Sequence, residues 1–155
     1  MRRRVRSRKG FEMASGKVLP GPGAVGQPVI LLVEDDVLVR LATAELLRDE
    51  GYVVLEAVNA GEALALLETG HPLDLLISDI RMPGRMNGLE LCSSVKRLRA
   101  NLPVMLFSSH LPDEESHCAD AFLAKPYQPR NLFDLVRKMV GAEWANQNNN
   151  NPTAS

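Results

Sequence analysis

Residues 29–142 predict an α/β fold: a doubly wound sheet of five parallel strands with helices on both faces. Three observations carry this expectation. Short runs rich in Val, Ile and Leu alternate with stretches in which apolar residues recur at helical spacing. The runs have no polar face, as befits strands covered on both sides. The connections are short, and regular strand–helix alternation of this kind builds right-handed crossovers and a parallel sheet.

The elements follow in order. "VILLV" (29–33) reads as the first strand. The next stretch, "VLVRLATAELLRDEG", spaces Val37, Leu41, Ala44 and Leu47 as one helical face, and Gly51 stands where a C-cap would. "YVVLEA" (52–57) is a second strand. "NAGEALALLETG" opens with Asn59 as N-cap and Glu62 three residues on, and closes at Gly70. "LDLLIS" (73–78), "PVMLFS" (103–108) and "AFLA" (121–124) are the remaining strands. "GLELCSSVKRLRA" and "PRNLFDLVRKMVG" are helices, the last opened by Pro129. The crossover "HLPDEESHCAD" (110–120) has eleven residues and few apolar ones, which predicts a shortened helix of one or two turns within 112–119.

The flanks differ from this core. Residues 1–28 begin basic and then turn Gly- and Pro-rich, so they read as a disordered leader; 143–155 form a polar low-complexity tail. The net charge of −1 divides into +6 on the leader and −7 on the rest. Hydrophobic residues at 45% and charged residues at 24% suit a globular domain, and no apolar run approaches the roughly 20 residues that span a bilayer. The start lacks the apolar core of a secretory signal, so a cytoplasmic protein is expected. Cys92 and Cys118 have no C-x-x-C spacing and read as two isolated thiols, with neither a disulfide framework nor a zinc site expected.

The chemistry lies at the strand ends. In an open parallel sheet, ligands bind beyond the carboxyl ends of the strands. Here those ends carry Glu34 and Asp35, Asp79, Ser108 and Lys125. Three converging carboxylates raise one another's pKa unless a cation joins them, and Mg2+ takes hard oxygen ligands. A carboxylate can also attack phosphorus, with a lysine and a hydroxyl balancing charge on the phosphoryl oxygens. Asp36 reads as a helix-start acid favoured by the helix dipole.

On the residues "VEDD" (33–36), "SDIRMPGRMNG" (78–88), "FSS" (107–109) and "KPY" (125–127), the chain resembles the receiver domain of bacterial two-component response regulators, of the stand-alone type. The resemblance implies a flavodoxin-like sheet in the order 2-1-3-4-5. It implies Asp79 as phosphoacceptor, and Mg2+ held by Glu34, Asp35, Asp79 and the backbone carbonyl of Arg81. Lys125 would pair with the phosphate, and Ser108 and Phe122 would be the switch residues. The implied partner is a sensor histidine kinase or a histidine phosphotransfer protein, with a downstream protein as target. The chain departs from the commonest pattern by one extra residue between Asp79 and Gly88, by Ser109 in place of alanine, and by only sixteen residues between Ser108 and Lys125.

Only fourteen residues follow Gly141, so no output domain is expected, and the protein is expected to act as a signalling domain rather than as an enzyme. A phosphatase with an aspartyl-phosphate intermediate needs D-x-D, and Arg81 occupies the second position. A nucleic-acid binder would rest on residues 2–9 alone, with no reading motif. The alternative is a receiver-like interaction module that acts without phosphorylation; the acid pair, Asp79 and Lys125 weigh against it.

Overall fold

The computed structural model describes residues 26–109 and 118–141, together with a two-residue antiparallel pair, Met13–Ala14 with Lys17–Val18. The short helix expected within 112–119 lies outside the described residues apart from Cys118 and Ala119, which are not helical. The rest of the leader and the tail also lie outside them.

Five strands form one parallel sheet: β1 (Val29–Val33), β2 (Val53–Ala57), β3 (Leu75–Asp79), β4 (Val104–Ser108) and β5 (Ala121–Ala124). Their order is β2-β1-β3-β4-β5, as expected. Four helices are present among the described residues: α1 (Val37–Asp49), α2 (Ala60–Glu68), α3 (Gly88–Leu98) and α4 (Pro129–Val140). The third strand runs later than 73–78, so Asp79 is its last residue, in register with Phe107 of β4.

The period of two along each strand explains the runs without a polar face. Leu31, Val33, Leu55, Leu76 and Leu106 point to one side and pack with Ala63, Leu66, Leu91 and Val95 of α2 and α3. Ile30, Leu32, Val54, Ile77 and Phe107 point to the other and pack with Ala44 and Leu47 of α1 and Leu132 and Val136 of α4. Each fully buried leucine in these layers contributes roughly 1.5–3 kcal/mol. The expectation for α1 needs correction at its start. Val37 and Leu41 are exposed, and the buried residues are Thr43, Ala44 and Leu47. A helix that follows a parallel strand begins beyond the sheet's carboxyl edge, where no strand lies beneath its first turns.

Local chemistry sets the helix starts. Asp36 caps α1, accepting from the N–H groups of Leu38 and Val39 at 2.9 and 3.0 Å. Asn59 caps α2 by accepting from Glu62 N at 2.8 Å. A reciprocal box at Asn87 and Glu90, both bonds 2.9 Å, opens α3.

The start of α3 lies against the end of β3. Gly88 N donates to the Ile80 carbonyl at 2.8 Å. A Cβ at Gly88 would overlap the Asp79 carbonyl oxygen and lie 2.8 Å from Ile80 Cα. The loop between them turns at Gly84, whose φ of +111° favours glycine, and Met82 is buried beneath it. The loop thus accommodates its extra residue while its two ends stay joined.

The two cysteines are not isolated. The structure pairs Cys92 of α3 with Cys118, just before β5, with Cα atoms 6.3 Å apart. A separation of 26 residues carries no spacing signal, and only the crossover back to the sheet edge brings them together. Asp120 reinforces this contact: its Oδ2 accepts from Lys96 Nζ of α3 at 2.6 Å and from Val104 N of β4 at 2.9 Å. Burial works to raise the Asp120 carboxyl, but these hydrogen bonds outweigh it and hold the group below the ordinary value of 3.8.

Two outcomes follow. Gly88→Ala forces the α3 start away from β3 and should cost about 1–3 kcal/mol in a urea melt; a loss below about 0.5 kcal/mol would mean that the loop yields freely. Asp120 has a depressed folded-state pKa, so its contribution is present above the unfolded value of 3.8 and is lost as pH falls through the folded value. The Lys96 pair is half exposed and screened, so Asp120→Asn should cost about 1 kcal/mol at neutral pH and remove that part of the acid limb of a stability–pH profile. An unchanged acid limb would contradict the assignment.

Candidate phosphoacceptor site

The carboxyl edge of the sheet gathers four of the residues singled out in the sequence. Glu34 follows β1 and is buried, at 2% exposure, while its backbone N–H still donates to Ala57 of β2 at 3.1 Å. Asp35 beside it is exposed. Asp79 closes β3 and is partly buried. One carboxylate oxygen from each of Glu34, Asp35 and Asp79 lies within 4.8 Å of the others, a grouping that could hold a metal ion. Lys125, which follows β5, reaches back across the sheet. Its Nζ donates to Asp79 Oδ2 at 2.8 Å and to Glu34 Oε2 at 3.4 Å.

The electrostatics follow from burial and crowding. Burial lifts the Glu34 carboxyl above the usual carboxylate range; the Asp36 N–H and the Lys125 charge oppose this, while Asp79 and Asp35 add to it. Burial pulls the Lys125 ammonium down, but the hydrogen bond to Asp79 and the charges of Glu34 and Asp79 outweigh it and hold the group above the ordinary lysine value. With Glu34, Asp35 and Asp79 ionised, one lysine against three carboxylates leaves two negative charges. A hard dication is the natural complement, and the oxygen donor set suits Mg2+.

Several neighbours position these groups. The Lys125 backbone N–H donates to the Ser108 carbonyl at 2.8 Å, and the Lys125–Pro126 peptide is cis. Lys125 Nζ also stands 5.9 Å from the centroid of the Phe107 ring, which packs on Tyr127 at 5.1 Å. Tyr127 and Thr43 of α1 share a hydrogen bond of 3.0 Å. The backbone N–H of Arg81, whose residue is exposed, donates to Asp79 Oδ1 at 3.3 Å.

Ser108 ends β4, buried, opposite Ala124 of β5. Phe122 lies in β5 opposite Leu106, partly buried against the α2/α3 core layer. Both therefore sit on the strand pair that delivers Lys125. Asp36 stands at the helix start, as the sequence suggested, and acts there as the N-cap of α1.

The sequence reading missed Arg40. Its Nη1 donates to the Glu34 carbonyl at 2.9 Å and its Nε to Glu56 Oε2 at 3.2 Å, and Arg48 Nη2 also reaches Glu56 at 2.8 Å. This network anchors the acidic turn to β2. A backbone acceptor leaves no mark in a sequence, so no signal could have identified this role. Gly88 was visible as the closing glycine of its motif, but its close approach to Asp79 was not.

Comparisons with known proteins agree with this geometry. The family described as "Response regulator receiver domain" matches residues 30–137. An uncharacterized 14.6 kDa protein of Leptolyngbya boryana is 37% identical over 121 residues, covering 74% of this chain and 91% of its own. Other curated relatives are longer, and the chain spans only 13% and 56% of two of them. Among solved structures, the receiver domain of the hybrid histidine kinase CckA is 38% identical with a TM-score of 0.63, covering 73% of this chain and 99% of that one. The response regulator TrrA of Thermotoga maritima, in complex with Mg(2+)-BeF, is 30% identical with a TM-score of 0.67, covering 73% and 98%. With its sheet order, its acidic edge and a profile match over most of its length, the chain belongs to the response regulator receiver family.

Proposed function

We propose that the protein is a phosphoacceptor switch, with Asp79 as its nucleophile. The observation that carries this is the cluster of three carboxylates within 4.8 Å, bridged by Lys125 at 2.8 and 3.4 Å. The donor would be a phosphohistidine on a sensor kinase or a phosphotransfer protein. An Asp79 carboxylate oxygen forms a bond to phosphorus as the phosphorus–nitrogen bond breaks, and the imidazole leaves with the electron pair and takes up a proton. Glu34, Asp35, Asp79 and the Arg81 carbonyl would hold Mg2+, which supplies charge neutralisation on the phosphoryl oxygens. The Mg(2+)-BeF complex of the TrrA relative supports Mg2+ as the ion.

Lys125 now pairs with Asp79. Once that carboxylate is esterified it is no longer anionic, and the ammonium pairs instead with a phosphoryl oxygen. The Ser108 hydroxyl is the second charge-balancing group, and its movement together with Phe122 would change the surface around β4 and β5. In this reading the protein acts in the cytoplasm by binding another protein, and it is not a turnover enzyme. No helix among the described residues is long and apolar enough to cross a membrane.

Incubation of the full chain with a small-molecule acyl phosphate and Mg2+ tests the reading. Labelling should require Mg2+, and Asp79→Asn should reduce it at least 100-fold while leaving the melting temperature within a few degrees. Persistent Mg2+-dependent labelling of that variant would remove Asp79 as acceptor, and no labelling of the parent protein would favour a receiver that acts without phosphate. Asp35→Ala should weaken Mg2+ binding at least tenfold yet raise the melting temperature of the metal-free protein, because it relieves carboxylate repulsion. A clearly lower metal-free melting temperature would argue against a repulsive cluster.

A further inference from the structure

We propose that Cys92 and Cys118 form a thiol–disulfide switch, a reversible modification site that ties α3 to the entrance of β5. Their Cα separation of 6.3 Å lies within the span of a disulfide. The two thiols are placed unequally. Cys92 is fully buried in the α2/α3 core layer, between Leu91 and Val95 on the inward side of α3, whereas Cys118 is partly exposed. Ser93 Oγ, which donates to the Leu89 carbonyl at 3.3 Å, lies 3.7 Å from Cys118 Sγ, a polar neighbour for that sulfur.

The contact is organised without the covalent bond. Lys96, one turn along α3, holds Asp120 at 2.6 Å, and Asp120 in turn holds Val104 N at 2.9 Å. These contacts hold the two cysteines' segments together independently of the bond, which favours ring closure over reaction with a second molecule. In reducing compartments the disulfides that do form are usually transient and redox-sensing.

The oxidant is a small-molecule disulfide such as glutathione disulfide. The Cys118 thiolate attacks one oxidant sulfur and expels the first thiolate. The Cys92 thiolate then attacks the Cys118 sulfur and expels the second. One protein sulfur–sulfur bond forms, the oxidant's bond breaks, and the two electrons and two protons of the cysteines end on two small thiols.

The bond would act on the strand that the site depends on. Among the described residues β5 is an edge strand, paired with β4 alone, and Lys125 follows directly after it. The ring closed between positions 92 and 118 encloses β4 and Ser108. Oxidation thus pins the leading end of β5 to α3 and restrains the strand pair that carries Ser108, Phe122 and Lys125. Its effect on signalling rests on the phosphoacceptor reading; its chemistry and its effect on β5 do not.

The test uses the full chain equilibrated in glutathione buffers from reducing to oxidising, with no phosphodonor. Intact mass should fall by about 2 Da on oxidation, and peptide mapping should place the bond between Cys92 and Cys118. Amide exchange over Ala121–Ala124 should slow about tenfold in the oxidised form and recover with a dithiol reductant. Cys118→Ser, at a partly exposed position, should show one exchange rate at every poise, and Cys92→Ala should repeat that result. A glutathione adduct or a disulfide-linked dimer in place of the 2 Da loss would overturn the proposal, as would a bond that forms and leaves β5 exchange unchanged. Because no phosphate enters the experiment, its failure leaves the phosphoacceptor reading standing, and the converse also holds.

Discussion

Lys125 and the carboxylates beneath it set the terms for the rest of the molecule. A buried Glu34 beside Asp35 and Asp79 is repulsive when metal-free, and one ammonium spanning Glu34 and Asp79 relieves part of that repulsion. The bridge requires β5 to end at a fixed distance from β3, with β4 between them. Parallel register supplies that distance: Asp79 faces Phe107, and Ser108 faces Ala124, one residue before Lys125. The apolar layers on both faces of the sheet hold the register. The core is in this sense a ruler for four charges, and a one-residue slip of β5 would turn its side chains to the opposite faces and displace the lysine from its partners.

Much of this was legible in the chain. The sheet order, the four described helices and the carboxylate cluster follow from apolar runs, helical spacing and polar residues at strand ends, together with the family motifs. These signals are local, and local physics writes them: an unbroken apolar run in β1, an acid at the start of α1, a cap at Asn59, Pro129 at a helix start. What was not legible depends on contacts between distant residues or on backbone atoms. Arg40 binds a carbonyl, and the Cys92–Cys118 contact spans a crossover. The exposure of Val37 and Leu41 is a third case. Their spacing is helical, but spacing reports only that residues share a face, and it is silent on whether a strand lies beneath that face.

The same distinction separates the positions of the proposed switch residues. Asp79, Glu34 and Asp35 meet directly, so their joint role can be argued from distance. Ser108 and Phe122 share with Lys125 the strand pair β4–β5, and their proposed role concerns what moves on phosphorylation. A static arrangement displays the first kind of role and supplies only the setting for the second.

The join between Ile80 and Gly88 has a consequence for how this receiver can vary. The hydrogen bond there clips the intervening segment into a loop whose ends belong to the sheet and to α3. Extra length is taken up outward, and loop entropy rises only slowly, by about 0.6 kcal/mol per doubling. The nucleophile's position is thereby buffered against the length of the loop beyond Met82, while Arg81 and Met82 stay tied to the site and the core. The stretch from Pro83 to Met86 can diversify, in evolution or in a library of grafted loops, as an address label, while the chemistry at its root stays in place.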